Sequence, residues 1–315
     1  TQQKLVQLAT GEQINYDKLI LTAGSEANLP PIEGFGCDGC FCLRSADDAM
    51  RIRDYVQTND SRFAVVAGGG LLGLEAAYAL LKIGLRVTVL ERSEHLLKRQ
   101  LDAKAANILH DYLSGLGLHI QYKSEVARVS GDNKVTEITL KNNTTEKCDL
   151  LLVAAGIAPN TTLAKEAGLK TNRGVIVNSQ LKADEDIYVA GDLAEMDSAP
   201  GAIPGLWTVA VEQGKTAALN ALGDHNEYQH KPQPTALKVV GVELLSMGDF
   251  NGKETDHIIA QAQDGRYRKL ILRDGKVIGA ILLGYPDLKN IVIKWVPDQA
   301  DLSDKIEALE QGEWE

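Results

Sequence analysis

Residues 63–77 read FAVVAGGGLLGLEAA, an apolar run, a row of three glycines and a second apolar run. The first run, Phe63–Ala67, has the length and composition of a buried β-strand, and the residues from Leu71 to Ile83 have those of a helix. After Gly84, the run Arg86–Leu90 has the pattern of a second strand. Strand, turn, helix and strand in this order predict a βαβ unit with parallel strands.

Three glycines of this unit, Gly68, Gly70 and Gly73, have the spacing G-x-G-x-x-G between the strand and the helix. In that setting the first glycine allows a tight turn, the second lets the backbone approach a pyrophosphate, and the third lets the helix pack close to the sheet. The helix N-terminus, at Leu71 and Leu72, would present unpaired N–H groups and the positive end of the helix dipole to phosphates. The sequence therefore predicts a dinucleotide-binding loop.

Glu91 closes the second strand of the unit. A carboxylate at this position can accept hydrogen bonds from both hydroxyls of the adenosine ribose, and it would repel a 2′-phosphate. The pattern therefore favours NADH over NADPH. Arg92, the next residue, weakens this preference, so the prediction is NAD(P)H with NADH favoured.

Length, charge and cysteine content limit the remaining function classes. The 315 residues are expected to form more than one domain. With 33 basic and 43 acidic residues the formal net charge is -10, so nucleic acid is not expected as the main partner. Neither a signal peptide nor a transmembrane pattern is seen, so no membrane partner is expected. Four cysteines in so long a chain predict a reducing compartment, which we take to be the cytoplasm.

The rest of the chain continues to alternate strand and helix patterns. An apolar run at residues 187–190 predicts a buried strand that ends at Gly191 and Asp192, and residues 207–222 have a helical pattern. A buried strand followed by Gly-Asp is common, and Asp192 alone would be interpreted as a turn cap. The polar, proline-containing segment 225–234 predicts a linker. A final α+β unit follows it.

Taken together, four segments resemble the FAD-dependent pyridine nucleotide-disulfide oxidoreductase family in order and spacing. They are residues 21–25, 68–73, 155–160 and 187–192. Within this family the chain is most similar to the rubredoxin reductases and to the NADH-oxidising part of the nitrite reductase large subunit. Residues 211–218 and 237–242 add to this resemblance, which covers nearly the whole chain.

The resemblance implies an α/β fold with two Rossmann-like nucleotide-binding domains and a C-terminal α+β interface domain. We expect an FAD-binding domain at residues 1–44 and 159–225, an NAD-binding domain at 45–158 and the interface domain at 226–315. The family's first glycine motif, which holds the ADP half of FAD, would precede Thr1. The FAD domain is therefore expected to lack its N-terminal part, either because the chain is part of a longer protein or because it is a truncated form.

The resemblance also implies roles for individual residues. Gly191 and Asp192 would bind the ribityl chain of FAD, and the helix that starts near Trp207 would point its positive end at the flavin. Four segments are expected to contribute to cofactor binding: the glycine loop with Glu91 and Arg92, Thr22–Ala23–Gly24, Ala155–Gly156, and Gly191–Asp192. Glu75 would lie beside the nicotinamide, as the one candidate catalytic residue. Its alternative interpretation is an exposed first-turn carboxylate that favours the helix dipole.

These residues predict a flavoprotein oxidoreductase. A hydride would pass from NAD(P)H to FAD, and electrons would leave to a redox partner such as rubredoxin or a nitrite reductase centre. The C-terminal unit could form a homodimer contact or a docking surface. Two alternatives stay open: an NADH-dependent thiol or peroxide reductase, and a flavin-free NAD-binding fragment.

Three cysteines lie close together in Cys37-Asp38-Gly39-Cys40-Phe41-Cys42. The C-x-x-C pattern could be a redox pair, but its place in a loop after Pro30-Pro31 favours small loop residues without a redox role. Three thiols could also hold a metal, but no fourth ligand is nearby. The histidines show no metal-binding spacing, so no metal site is predicted.

Overall fold

The computed structural model describes residues 4–229, 231–237 and 241–314. It divides into two compact units, Thr1–Asn28 with Ile157–Lys231, and Leu29–Gly156 with Pro232–Glu315. The predicted domain boundaries stay predictions. The units differ from them in grouping residues 29–44, and also residues 232–315 of the predicted interface domain, with the segment predicted to bind NAD.

The elements follow in chain order. The strands are β1 Leu5–Gln7, β2 Gln13–Asn15, β3 Leu19–Leu21, β4 Ser25–Ala27, β5 Cys40–Cys42, β6 Phe63–Ala67, β7 Arg86–Glu91, β8 His119–Tyr122, β9 Val126–Ser130, β10 Glu137–Leu140, β11 Thr145–Lys147, β12 Leu150–Val153, β13 Ile157–Pro159, β14 Val175–Val177, β15 Lys182–Asp184, β16 Ile187–Val189, β17 Ala194–Met196, β18 Thr235–Leu237, β19 Leu244–Gly248, β20 His257–Gln263, β21 Arg266–Arg273 and β22 Lys276–Leu283. The helices are α1 Ala46–Thr58, α2 Leu71–Lys82, α3 Ala103–Gly115, α4 Thr162–Glu166, α5 Trp207–Ala221, α6 Lys289–Asp298 and α7 Ile306–Gln311.

The first unit contains several small sheets. In one of them β16 lies between β15 and β3 and runs parallel to β3. Strands β14 and β17 form a parallel pair, and β13 pairs antiparallel with β4. The buried side chains of β3, β14 and β16 share a core with the inner face of α5. This packing fixes the loops that leave the carboxyl ends of β3 and β16.

The second unit is built on a five-stranded parallel sheet with the order β5-β12-β6-β7-β8. Two of its inner strands, β6 and β12, are entirely apolar because they are covered on both faces, as a parallel sheet requires. Helix α1 begins with a capping box in which Ser45 and Asp48 each bond the other's backbone N–H. The antiparallel sheet β9–β11 follows β8 in the chain and leads back to β12.

The same unit contains the C-terminal antiparallel sheet, with the order β18-β19-β22-β21-β20. One face of this sheet packs against α6, and Trp314 is buried in that core. Side chains of β19 and β22, among them Leu244 and Leu283, belong to the same hydrophobic cluster as Leu109 and Leu113 of α3. The five-stranded parallel sheet and the C-terminal sheet therefore share a core.

The predicted α/β class, with Rossmann-like architecture and a C-terminal α+β unit, is confirmed. The segment 237–242, which contributed to the resemblance, falls in part on residues 238–240, which lie outside the described residues. None of the helices in the described ranges has the length and apolar character that a bilayer crossing requires.

Candidate nucleotide-binding site

Two glycines of the loop after β6 are required by the packing of the protein itself. Gly68 has a φ of +131°, and a Cβ placed on it would lie 2.3 Å from the carbonyl oxygen of Ala154. A Cβ on Gly73 would lie 1.9 Å from the carbonyl oxygen of Gly68. The turn and the close approach of α2 to the loop therefore both depend on the missing side chains.

Gly70 differs from these two glycines. Its φ of -81° and ψ of -179° are open to any residue, and a Cβ placed on it would meet no described atom within 4 Å. Neither backbone strain nor internal packing explains a glycine here, whereas a ligand that approaches the backbone does. No described side chain caps the N-terminus of α2, and the first turn has no acidic residue, so the space beside Gly70 fits an anionic pyrophosphate.

The side chain of Glu91 is held against this loop by two backbone N–H groups. Its Oε2 accepts a hydrogen bond from Gly69 N at 2.9 Å, and its Oε1 accepts one from Ser93 N at 2.7 Å. Each carboxylate oxygen has a second lone pair, so both can still accept a ribose hydroxyl. Arg92 is exposed. The geometry fits the ribose role predicted for Glu91, and that role stays a prediction.

Glu75 is half-buried in α2 and has neither a hydrogen bond nor an ion pair with any described residue. Burial raises the pKa of its carboxyl above the usual range. The interpretation of Glu75 as an exposed first-turn carboxylate does not fit, because α2 has no acidic residue in its first turn. The role beside the nicotinamide stays a prediction.

The segment Ala155–Gly156 follows the carboxyl end of β12, next to the glycine loop. Ala154 N donates to the carbonyl oxygen of Ala67 at 2.9 Å, and the carbonyl of Ala154 is the group that leaves no room for a Cβ on Gly68. The structure thus brings Ala155 and Gly156 to the edge of the sheet that carries Gly68–Gly73. Both residues are exposed there.

In the first unit, the residues predicted to bind FAD lie together at the carboxyl ends of β3 and β16. Because these strands are parallel, Thr22–Gly24 and Gly191–Asp192 leave the sheet at the same edge. Ser25 Oγ donates to Asp192 Oδ2 at 2.7 Å. The side chain of Asn160 donates to Ala23 O at 2.9 Å, which ties the first loop to β13.

Helix α5 supports the same edge. The buried Gln213, 2% exposed, accepts a hydrogen bond from Gly191 N at 2.8 Å and so holds the Gly-Asp turn. Trp207, the first residue of α5, is 80% exposed, and no described side chain caps this helix N-terminus. Sequence reasoning missed Ser25 and Gln213 as positioning residues, because each bonds a group far away in the chain.

A second carboxylate of this unit was also missed. Glu195 is 1% exposed and accepts hydrogen bonds from Gly174 N, Gly201 N and Asn172 Nδ2, each at 2.7 Å. Burial opposes ionisation, but these hydrogen bonds outweigh it and lower the pKa of Glu195. A fully bonded carboxylate of this kind joins two loops, so we assign it a structural role.

Metal ligation finds no support in the described ranges, where no group of three or more His, Cys, Asp or Glu side chains could hold an ion. All four cysteines are free thiols.

Comparison with known proteins agrees with this geometry. Residues 1–214 match the family model described as pyridine nucleotide-disulphide oxidoreductase, and residues 234–294 match the rubredoxin NAD+ reductase C-terminal domain. The chain is 36% identical over 293 residues to nitrite reductase (NAD(P)H) of Bacillus subtilis (strain 168). The aligned region covers 92% of this chain and 36% of that protein. It is 32% identical over 308 residues to the NADH-rubredoxin oxidoreductase of Clostridium acetobutylicum. This aligned region covers 98% of this chain and 76% of that protein.

A solved structure supports the same assignment. The crystal structure of NADH:rubredoxin oxidoreductase from Clostridium acetobutylicum matches with a TM-score of 0.75 and 29% identity, over 99% of this chain and 78% of that one. The chain thus spans little more than a third of the nitrite reductase and about three quarters of the rubredoxin reductase. On the family model matched over residues 1–214, the chain belongs to the pyridine nucleotide-disulphide oxidoreductase family.

Proposed function

We propose that this chain binds the nucleotide and flavin of an NADH-dependent flavoprotein oxidoreductase. The observation that carries the proposal is the open space beside Gly70, with the uncapped N-terminus of α2 on one side and the carboxylate of Glu91 near the other end of the loop. Members of the family use FAD and NAD(P)H. A pyrophosphate at Gly70 and a ribose at Glu91 account for both features.

The chain's own residues bind and orient in this scheme. The N–H groups at the start of α2 would bind the pyrophosphate of NADH, and Glu91 would accept the ribose hydroxyls and disfavour a 2′-phosphate. In the first unit, Asp192, held by Ser25, would bind the flavin's ribityl chain, and the N-terminus of α5 would favour negative charge on the flavin ring. FAD, when bound, accepts a hydride from reduced nicotinamide and releases electrons singly.

For the electron acceptor we propose a redox protein or a redox centre. The named relatives are an NADH-rubredoxin oxidoreductase and a nitrite reductase, and the C-terminal domain matches a rubredoxin reductase domain. Rubredoxin and a nitrite reductase centre are therefore the two acceptors to test first. A homodimer and a cytoplasmic location stay predictions.

NADH binding tests the nucleotide half of the proposal. In a fluorescence titration of the full chain, Glu91→Gln should weaken NADH binding about tenfold, because the amide cannot accept hydrogen bonds with both of its polar atoms. Glu94→Gln is the matched control. Glu94 is an exposed acid close by in the chain that pairs with Lys123 at 2.8 Å, and its replacement should leave the affinity unchanged. Equal effects of the two changes would contradict the ribose role of Glu91.

The visible absorption spectrum tests the flavin half. The purified chain, supplied with FAD, is recorded under anaerobic conditions before and after addition of NADH. Loss of a bound-flavin spectrum on addition of NADH would support the proposal. NADH binding without any retained flavin would favour the flavin-free alternative and reject the proposal that this chain binds the flavin.

A further inference from the structure

The loop that leads into β5 holds two thiols in contact. The Sγ atoms of Cys37 and Cys40 lie 3.7 Å apart, and both side chains are partly buried. The backbone N–H of Cys40 donates to the carbonyl oxygen of Cys37 at 3.2 Å, so the four residues form a hydrogen-bonded turn. The sequence pattern favoured loop residues without a redox role, but the structure places the two sulfur atoms within reach of each other.

Neighbouring elements fix the conformation of this turn. Gly39 has a φ of +88°, and a Cβ placed on it would lie 2.6 Å from the hydroxyl of Tyr55 and 2.7 Å from a methyl group of Val135. The backbone of Asp38 is bonded on both sides, since its N–H donates to Asn133 O at 3.1 Å and its carbonyl accepts from Val135 N at 2.8 Å. Cys37 and Cys40 are therefore held together by the fold rather than by chance rotation of a mobile loop.

Little movement separates this arrangement from a disulfide. An S–S bond is about 2 Å long, so the two sulfur atoms must approach by less than about 2 Å, which side-chain rotation can supply. Burial raises the pKa of Cys40 to about 12, so this residue is a protonated thiol at neutral pH. The contact between the two sulfur atoms lets one thiol attack a mixed disulfide formed on the other, and we assign the first attack to Cys37 and the second to Cys40.

We propose that Cys37 and Cys40 are a reversible dithiol–disulfide site that is oxidised by low-molecular-weight disulfides. The thiolate of Cys37 attacks a sulfur of the small disulfide, forms a mixed disulfide and releases one small thiol. Cys40 gives up its proton to solvent, attacks the sulfur of Cys37 and releases the second small thiol. The two protein thiols lose two electrons and two protons in total, and one small disulfide becomes two small thiols.

This site is separate from the proposed dinucleotide site. Cys40 pairs with Leu151 at the amino end of the parallel sheet, whereas Gly68 follows Ala67, which pairs with Val153 at the carboxyl end. In a parallel sheet, the amino ends of all strands lie on one side of the sheet and their carboxyl ends lie on the opposite side. The dithiol proposal therefore does not rest on the proposed function, and its test needs neither FAD nor NADH.

The test uses the reduced full chain and oxidised glutathione as the probe. After incubation, the protein is quenched in acid, denatured and alkylated, and the free thiols are counted by intact mass. We expect the chain to lose two of its four alkylatable thiols without a lasting glutathione adduct. Cys40→Ser should instead retain one glutathionyl group on Cys37, and Cys37→Ser should react at least about tenfold more slowly.

Cys42→Ser is the matched control. Cys42 lies in strand β5 with Cys40, and it is also partly buried, with a thiol pKa that burial raises. This variant should lose two thiols like the parent chain. Retention of all four thiols in the parent chain would overturn the proposal. Loss of the disulfide in Cys42→Ser, or equal glutathione adducts in the parent chain and Cys40→Ser, would overturn it as well. Cys37→Ala gives an independent variant should the serine at that position disturb the fold.

Discussion

Two glycines of the loop after β6 are expected to have different roles, Gly73 in the stability of the fold and Gly70 in ligand binding. Gly73→Ala should lower the free energy of unfolding by about 3 kcal/mol, because its Cβ would clash with a backbone carbonyl at 1.9 Å. Gly70→Ala faces open space and should cost at most about 1 kcal/mol, chiefly through helix capping. It should nevertheless weaken NADH binding about tenfold or more. Urea unfolding and NADH titration of both variants check this, and an unchanged affinity in Gly70→Ala would argue against a pyrophosphate there.

The carboxyl of Glu75 predicts a pH dependence of stability. Burial raises its pKa, so the folded state binds the proton more tightly than the unfolded chain does. Its contribution therefore favours folding at low pH and is lost as pH rises from about 4 through the folded-state pKa. We expect Glu75→Gln to raise the free energy of unfolding at pH 7, by up to about 1 kcal/mol, and to have no effect below about pH 4. Urea unfolding of the parent chain and of Glu75→Gln at both pH values measures this difference. A lower stability of the variant at pH 7 would contradict the burial argument.

Among the elements, α3 and β21 are joined through one carboxylate. Asp102 caps α3 by accepting from Ala105 N at 2.9 Å, and it also accepts from Tyr267 Oη and Lys269 Nζ, each at 2.9 Å. Burial opposes its ionisation, but these hydrogen bonds together lower the pKa of Asp102. Lys269 is only 7% exposed, so its ion pair with Asp102 lies in a largely buried environment.

Replacement of Asp102 should therefore cost more than the loss of a helix cap. We expect Asp102→Asn, which keeps a capping oxygen, to destabilise the fold by about 3 kcal/mol because Lys269 is left buried without a counter-charge. The double variant Asp102→Asn with Lys269→Met should recover most of this loss. The stabilisation should be present above about pH 4 and fade as pH falls through the lowered pKa of Asp102. Denaturant unfolding of the single and double variants measures the coupling, and strictly additive effects would rule out the pair.

The same elements show what local sequence can predict. Strand β6, helix α2 and strand β7 were predicted almost to the residue, because long apolar runs and glycine stops carry the signal within one segment. Strands such as β14 and β17, three residues each, have no periodicity to read, since they are defined by pairing with each other. The candidate binding residues likewise include some that a local motif predicts and others that only the fold brings together. The loop at Gly68–Gly73 is local, whereas the bond from Ser25 to Asp192 joins residues 167 positions apart.

Within the second unit, the C-terminal sheet and the five-stranded parallel sheet are expected to behave as one folding unit. Leu244 and Leu283 pack in the same cluster as Leu109 and Leu113, and Asp102 bonds two residues of β21. A ligand bound to the glycine loop should therefore stabilise strands that it does not touch.

Hydrogen exchange tests this coupling across the unit. At a free NADH concentration about 100 times its Kd, binding stabilises the native state by about 2.7 kcal/mol, so amides that exchange only by global opening should slow by about 100-fold. We expect this slowing in β21 and β22 as well as in β6 and β7, because opening either sheet exposes the shared core. Gly70→Ala, measured at the same NADH concentration, is the control, because a tenfold weaker affinity should reduce the slowing from about 100-fold to about 10-fold. Protection confined to β6 and β7 would show that the C-terminal sheet opens independently, and the shared core would then be a contact between two cooperative units.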